Sequence, residues 1–211
     1  MLVYNGQVEL IDFHIRRLCL DAGKIALPVH ADDLSRMVCR EANDMQHGVL
    51  KCLISAGEKG RGYERDEFVS PQVYLSRHRY PGHYPHWQQY GISVGVSNVQ
   101  LARQPLLGGV KHLNRLEQVL IKNALRTSPA DDHIVCDLQG YIVEASASNV
   151  FWQKAGRWYT PDVSHSGVAG VMREAILSEQ KYQGAAVSVG AYRVQDLTGI
   201  TAMFICNALM G

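Results

Sequence analysis

The sequence predicts an α+β protein of two domains with a cleft between them, and three observations predict it. Short apolar runs are separated by Asn-Gly, Gln-Gly and Ala-Gly pairs, which tolerate the positive φ of hairpin turns. Other segments carry apolar residues at helical spacing. The two kinds of element follow one another without a strict βαβ rhythm, which argues against a single parallel sheet. A Pro-, Gly-, His- and Tyr-rich stretch between Arg79 and Gly91 reads as a connector, so the 211 residues divide into an α+β domain over 1–90 and an α/β domain over 91–211.

In order, MLVYNGQVEL is a hairpin about Asn5-Gly6. DFHIRRLCLDAGKIAL follows as a helix with Asp12 as its N-cap, and a second helix spans Ala31 to Asn43. GVLKCLISAG and PQVYLSRHR are strands joined by the polar segment GEKGRGYERDE. Beyond the connector, GISVGVSNVQ is a strand and Leu113 to Arg126 a helix. DHIVCDLQGYIVEA and NVFWQKAGRWYTP are hairpins about Gln139-Gly140 and Ala155-Gly156. A helix begins near Val168, and AAVSVG and AMFICNAL are further strands.

Composition narrows the function. With 46% hydrophobic and 19% charged residues the chain is globular in balance, and a formal charge of +1 provides no general attraction to nucleic acid or anionic membrane. The expected ligand is therefore a small molecule. Cys19, Cys39, Cys52, Cys136 and Cys206 have no metal-binding spacing and read as buried, reduced residues of a cytoplasmic protein, with no metal site. No apolar run reaches membrane-spanning length.

Five groups carry chemistry. GGVKHLNRLEQ sets two glycines before Lys111, with His112, Asn114 and Arg115 beside it. In HIRRL, His14 and Arg17 share a helical face, and an arginine fork suits phosphate. In GVAGVMREAIL, Gly167 and Gly170 precede a helix whose free amides favour an anion. Strand alternation in YIVEA puts Glu144 on the face of Ile142, where a carboxylate needs a partner. The loop GEKGRGY adds Arg61 and Tyr63 as a lid that presents Arg61 to a substrate carboxylate. Each has an ordinary alternative: a surface lysine or arginine, a tight turn, a salt bridge, a hairpin tip. Together they supply what pyridoxal phosphate requires, namely a lysine able to form a Schiff base, a carboxylate for the pyridine nitrogen, and an arginine with a helix N-terminus for the phosphate.

These residues stand in an order that resembles fold-type IV pyridoxal-phosphate enzymes, the group of branched-chain and D-amino-acid aminotransferases. YNGQVELIDFHIRRL, GRGY, GGVKHLNRLEQVLIKNAL, VEASASNVFW, YTPDVSHSGVAGVMR and FICNAL carry the likeness, and KHLNRLEQVL is particular to the aminodeoxychorismate lyase branch.

The resemblance implies an active site in the interdomain cleft and pyridoxal 5′-phosphate as cofactor. Lys111 would be the Schiff-base and catalytic lysine, Glu144 the partner of the pyridine nitrogen, and Arg17 with the amides of Val171 and Met172 the phosphate site. Asn207 and Ala208 fall where relatives place a phosphate-binding threonine, and Arg61 with Tyr63 would meet the substrate. The implied reaction converts 4-amino-4-deoxychorismate to 4-aminobenzoate and pyruvate in folate biosynthesis, with burial and neighbouring cations lowering the ammonium pKa of Lys111 so that, once freed, it is a neutral amine able to take a proton. An aminotransferase and an inactive cofactor-binding remnant stay open as alternatives. A homodimer is implied as well. Relatives begin with a further strand and hairpin and continue beyond ICNALM, so the chain is expected to lack both.

Overall fold

Asn5 and Gly6 take φ of 47° and 76°, so the first turn has the positive-φ pair that twists with its strands. It joins β1 (Leu2–Tyr4) to β2 (Gln7–Val8), pairing Val3 with Val8. The computed structural model describes residues 1–58, 62, 64 and 70–211, which form two compact units, Met1–Gly82 and His83–Gly211.

In the first unit α1 (Ile11–Lys24) and α2 (Ala31–Ala42) precede β3 (His47–Ser55) and β4 (Gln72–His78). The sheet runs β2-β1-β3-β4, with all neighbours antiparallel. Ile15 of α1 and Leu34, Val38 and Ala42 of α2 share one core with Val3 and Leu50 of the sheet. Asp12 is not the N-cap of α1. Leu10 occupies that position at φ 53° without a side-chain cap, and Asp12 lies in the first turn, where its charge still complements the helix dipole. Burial of all five cysteines is also corrected: Cys39 is exposed, and Cys19 and Cys52 are half-buried. Cys39 follows Val38 on α2, so the helical turn carries it off the buried face.

The second unit opens with α3 (Tyr84–Tyr90), inside the stretch read as a connector. Pro85 is tolerated because it stands in the first turn, and Gly91 at φ 76° ends the helix. The aromatic rings that made the segment look irregular pack on each other, with His83 and Trp87 centroids 4.6 Å apart.

Next come β5 (Val94–Val96), α4 (Leu116–Leu125), β6 (Asp132–Cys136) and β7 (Ile142–Ala145). These strands form a sheet in the order β5-β6-β7. Then follow β8 (Asn149–Lys154), β9 (Arg157–Pro161), α5 (Val171–Ser178), β10 (Lys181–Tyr182), β11 (Ala185–Gly190) and β12 (Ala202–Cys206). Their sheet runs β10-β11-β9-β8-β12. Phe151, Trp158 and Cys206 on its strands form a core that Met172 and Ile176 of α5 cover. No helix among the described residues is long and apolar enough to cross a membrane.

Candidate active site

The glycines before Lys111 are required by close approach. A Cβ at Gly108 would stand 2.1 Å from the carbonyl oxygen of Ser164, and Gly109 has φ 77°. The amide of Ala169 donates to the Gly109 carbonyl at 2.9 Å, which fastens this segment to the loop before α5. Gly108, Gly109 and Val110 are buried, whereas Lys111, next along the chain, is exposed, contrary to the expectation that it is buried. Arg115 closes the segment by donating to the carbonyl of Val110.

Glu144 is 6% exposed. Its face differs from the expected one because a register shift at Val135/Cys136 interrupts the alternation of β7. Glu144 pairs with Val135 and Ile142 with Cys136, so the carboxylate shares the side of Val135 and Val143, while Ile142 joins the other core with Cys136 and Trp152. The bulge re-aims one side chain.

Two donors meet that carboxylate. The amide of Val168 donates to Oε2 at 2.8 Å, and Nε2 of Gln118 donates to Oε1 at 3.3 Å. Burial raises the pKa of Glu144, opposed by the Val168 hydrogen bond, the charge of Arg115, the Gln118 hydrogen bond and the charge of Lys111. Lys111 thus lies within electrostatic reach of Glu144. Gly167 makes the Val168 contact possible, since at φ 76° its Cβ would be 2.4 Å from Cγ1 of Val143 and 3.0 Å from Oε2 of Glu144.

Asn149 holds the rest of the loop. Its Nδ2 donates to the Val168 carbonyl at 2.8 Å and its Oδ1 accepts the Gly170 amide at 3.1 Å. With Val168 and Gly170 occupied in this way, α5 begins at Val171, three residues later than expected. The amides of Val171 and Met172 have no acceptor within their own helix. Gly170 is extended and supplies no side-chain cap, so the positive end of α5 retains its capacity for an anion.

Asn207 is committed elsewhere. Its Oδ1 accepts the amides of Leu209 and Met210 at 2.9 Å, and its Nδ2 donates to Oγ of Ser148 at 3.1 Å, so the side chain closes the turn after β12. Ala208 is half-buried in that turn. Arg17 belongs to the first unit, where it lies on α1 near the buried His14. Burial lowers the pKa of Arg17, partly offset by Asp21, and its Nε has no hydrogen-bond partner among the described residues. His14 is driven to about 3 by burial and by neighbouring positive charge that includes Arg17, and neither ring nitrogen has a partner among the described residues. Arg61 and Tyr63 lie outside the described residues.

The second unit thus brings together Lys111, Glu144 and the head of α5. Sequence reading missed Gln118 and Asn149, each of which meets partners remote in the chain. The available signals were a glutamine early in α4 and an asparagine directly before the β8 apolar run.

Comparison with known proteins accords with this geometry. A family model described as amino-transferase class IV matches residues 1–211. Aminodeoxychorismate lyase of Vibrio harveyi is 35% identical over 209 residues, covering 98% of this chain and 77% of the relative. The crystal structure of 4-amino-4-deoxychorismate lyase from Pseudomonas aeruginosa superposes with a TM-score of 0.91 at 31% identity, over 100% of this chain and 78% of that one. Branched-chain amino acid aminotransferase of Escherichia coli shares the fold, with a TM-score of 0.81 at 22% identity over 99% of this chain and 72% of its own. The chain belongs to the class IV aminotransferase family.

Proposed function

We propose that the chain is a pyridoxal 5′-phosphate-dependent carbon–oxygen lyase that converts 4-amino-4-deoxychorismate to 4-aminobenzoate and pyruvate, a step of folate biosynthesis in the cytoplasm. The observation that carries the proposal is a buried, doubly hydrogen-bonded Glu144 on which the charge of Lys111 acts. The relatives named aminodeoxychorismate lyase favour this reaction over amino transfer.

The donor set fits the cofactor. A carboxylate offers about four acceptor positions. Val168 and Gln118 use two on Glu144, which leaves capacity for a protonated ring nitrogen. The amides of Val171 and Met172, at the head of α5, suit a phosphate. Ala208 has only its backbone to offer, and the side chain of Asn207 is spent on the turn. Lys111 is the amine that would carry the cofactor.

When bound, pyridoxal phosphate supplies an electron sink for the carbon that bears the substrate amine. Glu144, whose two donors and the charges of Arg115 and Lys111 oppose the effect of burial, would hold the proton at the pyridine nitrogen. Nζ of Lys111 takes the proton from the amine-bearing ring carbon. The ammonium so formed supplies the proton with which the departing enolpyruvyl group becomes pyruvate, and the remaining ring becomes aromatic.

A second copy of the chain is the protein partner in this reading. Leu116, Val119 and Leu120 stand exposed on one side of α4, with exposed Leu113 just before them, an apolar strip suited to an identical partner. Release of 4-aminobenzoate and pyruvate without any oxo acid tests the reaction. A requirement for an oxo acid would mean an aminotransferase, and cofactor uptake without turnover would mean a remnant.

A further inference from the structure

Gln118 of α4 touches Glu144 and has no role in the chemistry given above. The start of α4 is held at three points. Ile121 is 1% exposed, Oε1 of Glu117 accepts the Ala102 amide at 2.7 Å, and Arg115 donates to the Val110 carbonyl. Gln118 is therefore presented to Glu144 from a fixed backbone.

Its amide has a donor end and an acceptor end, and the two suit opposite states of the carboxyl group. An ionised carboxylate only accepts, so the NH2 must face it, whereas a protonated carboxyl would be met equally well by the amide oxygen. Here Nε2 faces Oε1 of Glu144, and Oε1 of Gln118 is buried with no partner among the described residues. The NH2-first orientation is the one an ionised carboxylate requires. The Val168 amide fixes the other carboxylate oxygen, and Arg115 and Lys111 are the charged groups that act on it.

We infer that Gln118 is a positioning residue: its amide holds Glu144 ionised and in one orientation, and through Glu144 sets how firmly a proton stays on the ring nitrogen of the cofactor. The cofactor part rests on the proposed function, and the carboxylate part does not. The test accordingly begins without cofactor. Carboxyl carbon NMR, with Glu144→Gln assigning the signal, follows the titration of Glu144 in the unmodified chain and in Gln118→Met and Gln118→Glu. Both substitutions should raise the midpoint, Gln118→Met by about one pH unit, a tenfold change in proton affinity, for loss of one hydrogen bond to a charged group.

The same proteins loaded with pyridoxal 5′-phosphate should show the pH dependence of the cofactor's absorbance displaced toward lower pH. Gln118→Asn, which keeps the amide but withdraws it by one methylene, serves if Gln118→Met does not fold. An unmoved Glu144 titration in folded variants overturns the inference, and so does a moved titration with an unmoved cofactor spectrum. Failure of the unmodified chain to take up cofactor refutes the proposed function, while the NMR titration still decides the role of Gln118 at the carboxylate.

Discussion

His14 in the first unit and Glu144 in the second are both buried ionisable groups, yet burial has opposite company in the two places. His14 is 2% exposed, has no hydrogen-bond partner among the described residues, and is pushed to about 3, so it is neutral at physiological pH. Glu144 is buried almost as deeply but receives two hydrogen bonds and two positive charges. At His14 desolvation and positive neighbours act together, and the charge is given up. Desolvation opposed by donors keeps one available for chemistry.

Removing the amine from the second site gives the largest expected effect. Lys111→Ala should lower release of 4-aminobenzoate by at least about 10⁴-fold, the upper range for loss of a positioned acid–base group, with folding intact because the side chain is exposed. Thermal unfolding and product assays on one preparation check both halves.

The first site is broken by acid. His14 has a folded pKa below its ordinary value of 6.5, so the folded state resists a proton that the unfolded state accepts. Its contribution is fully present above pH 6.5 and is lost as the pH falls toward about 3, a loss on the order of 5 kcal/mol over that window. His14→Leu should flatten the acid limb of a stability–pH curve measured in urea.

Glu144 carries the reverse sign. Its folded pKa is raised, so its cost is absent at low pH and grows as the pH rises through the folded value. Glu144→Gln should stabilise the chain near neutral pH by about 1 kcal/mol, as is common where a functional group is bought at the expense of stability, and should leave stability at pH 4 unchanged. Melting temperatures at the two pH values test this, and turnover should fall.

The smallest effect concerns thiols. Cys39 of the first unit is exposed, whereas burial pushes Cys206 of the second to about 12. A thiol reagent should label Cys39 well before Cys206, and Cys39→Ser should change stability by less than about 0.5 kcal/mol.

What the sequence disclosed follows a physical division. The hairpins at Asn5-Gly6, Gln139-Gly140 and Ala155-Gly156 were legible because a turn is decided by the residues within it. Lys111, Glu144 and the head of α5 were legible because their residue types are rare in combination. The face of Glu144 was not, since a bulge depends on the partner strand. Nor was the close approach of Gly108 to Ser164, which lies far along the chain. The helix Tyr84–Tyr90 stayed hidden because its stabilising contacts are between aromatic rings, which local propensity undervalues.

Asn149 has one further consequence. One amide group grips the loop on both sides of Ala169, so the N–H that reaches Glu144 and the start of α5 are gauged from a single point on β8. Any molecule spanning from the acidic group to the helix start is measured against that one ruler, and a shift of the strand would misfit its two ends together.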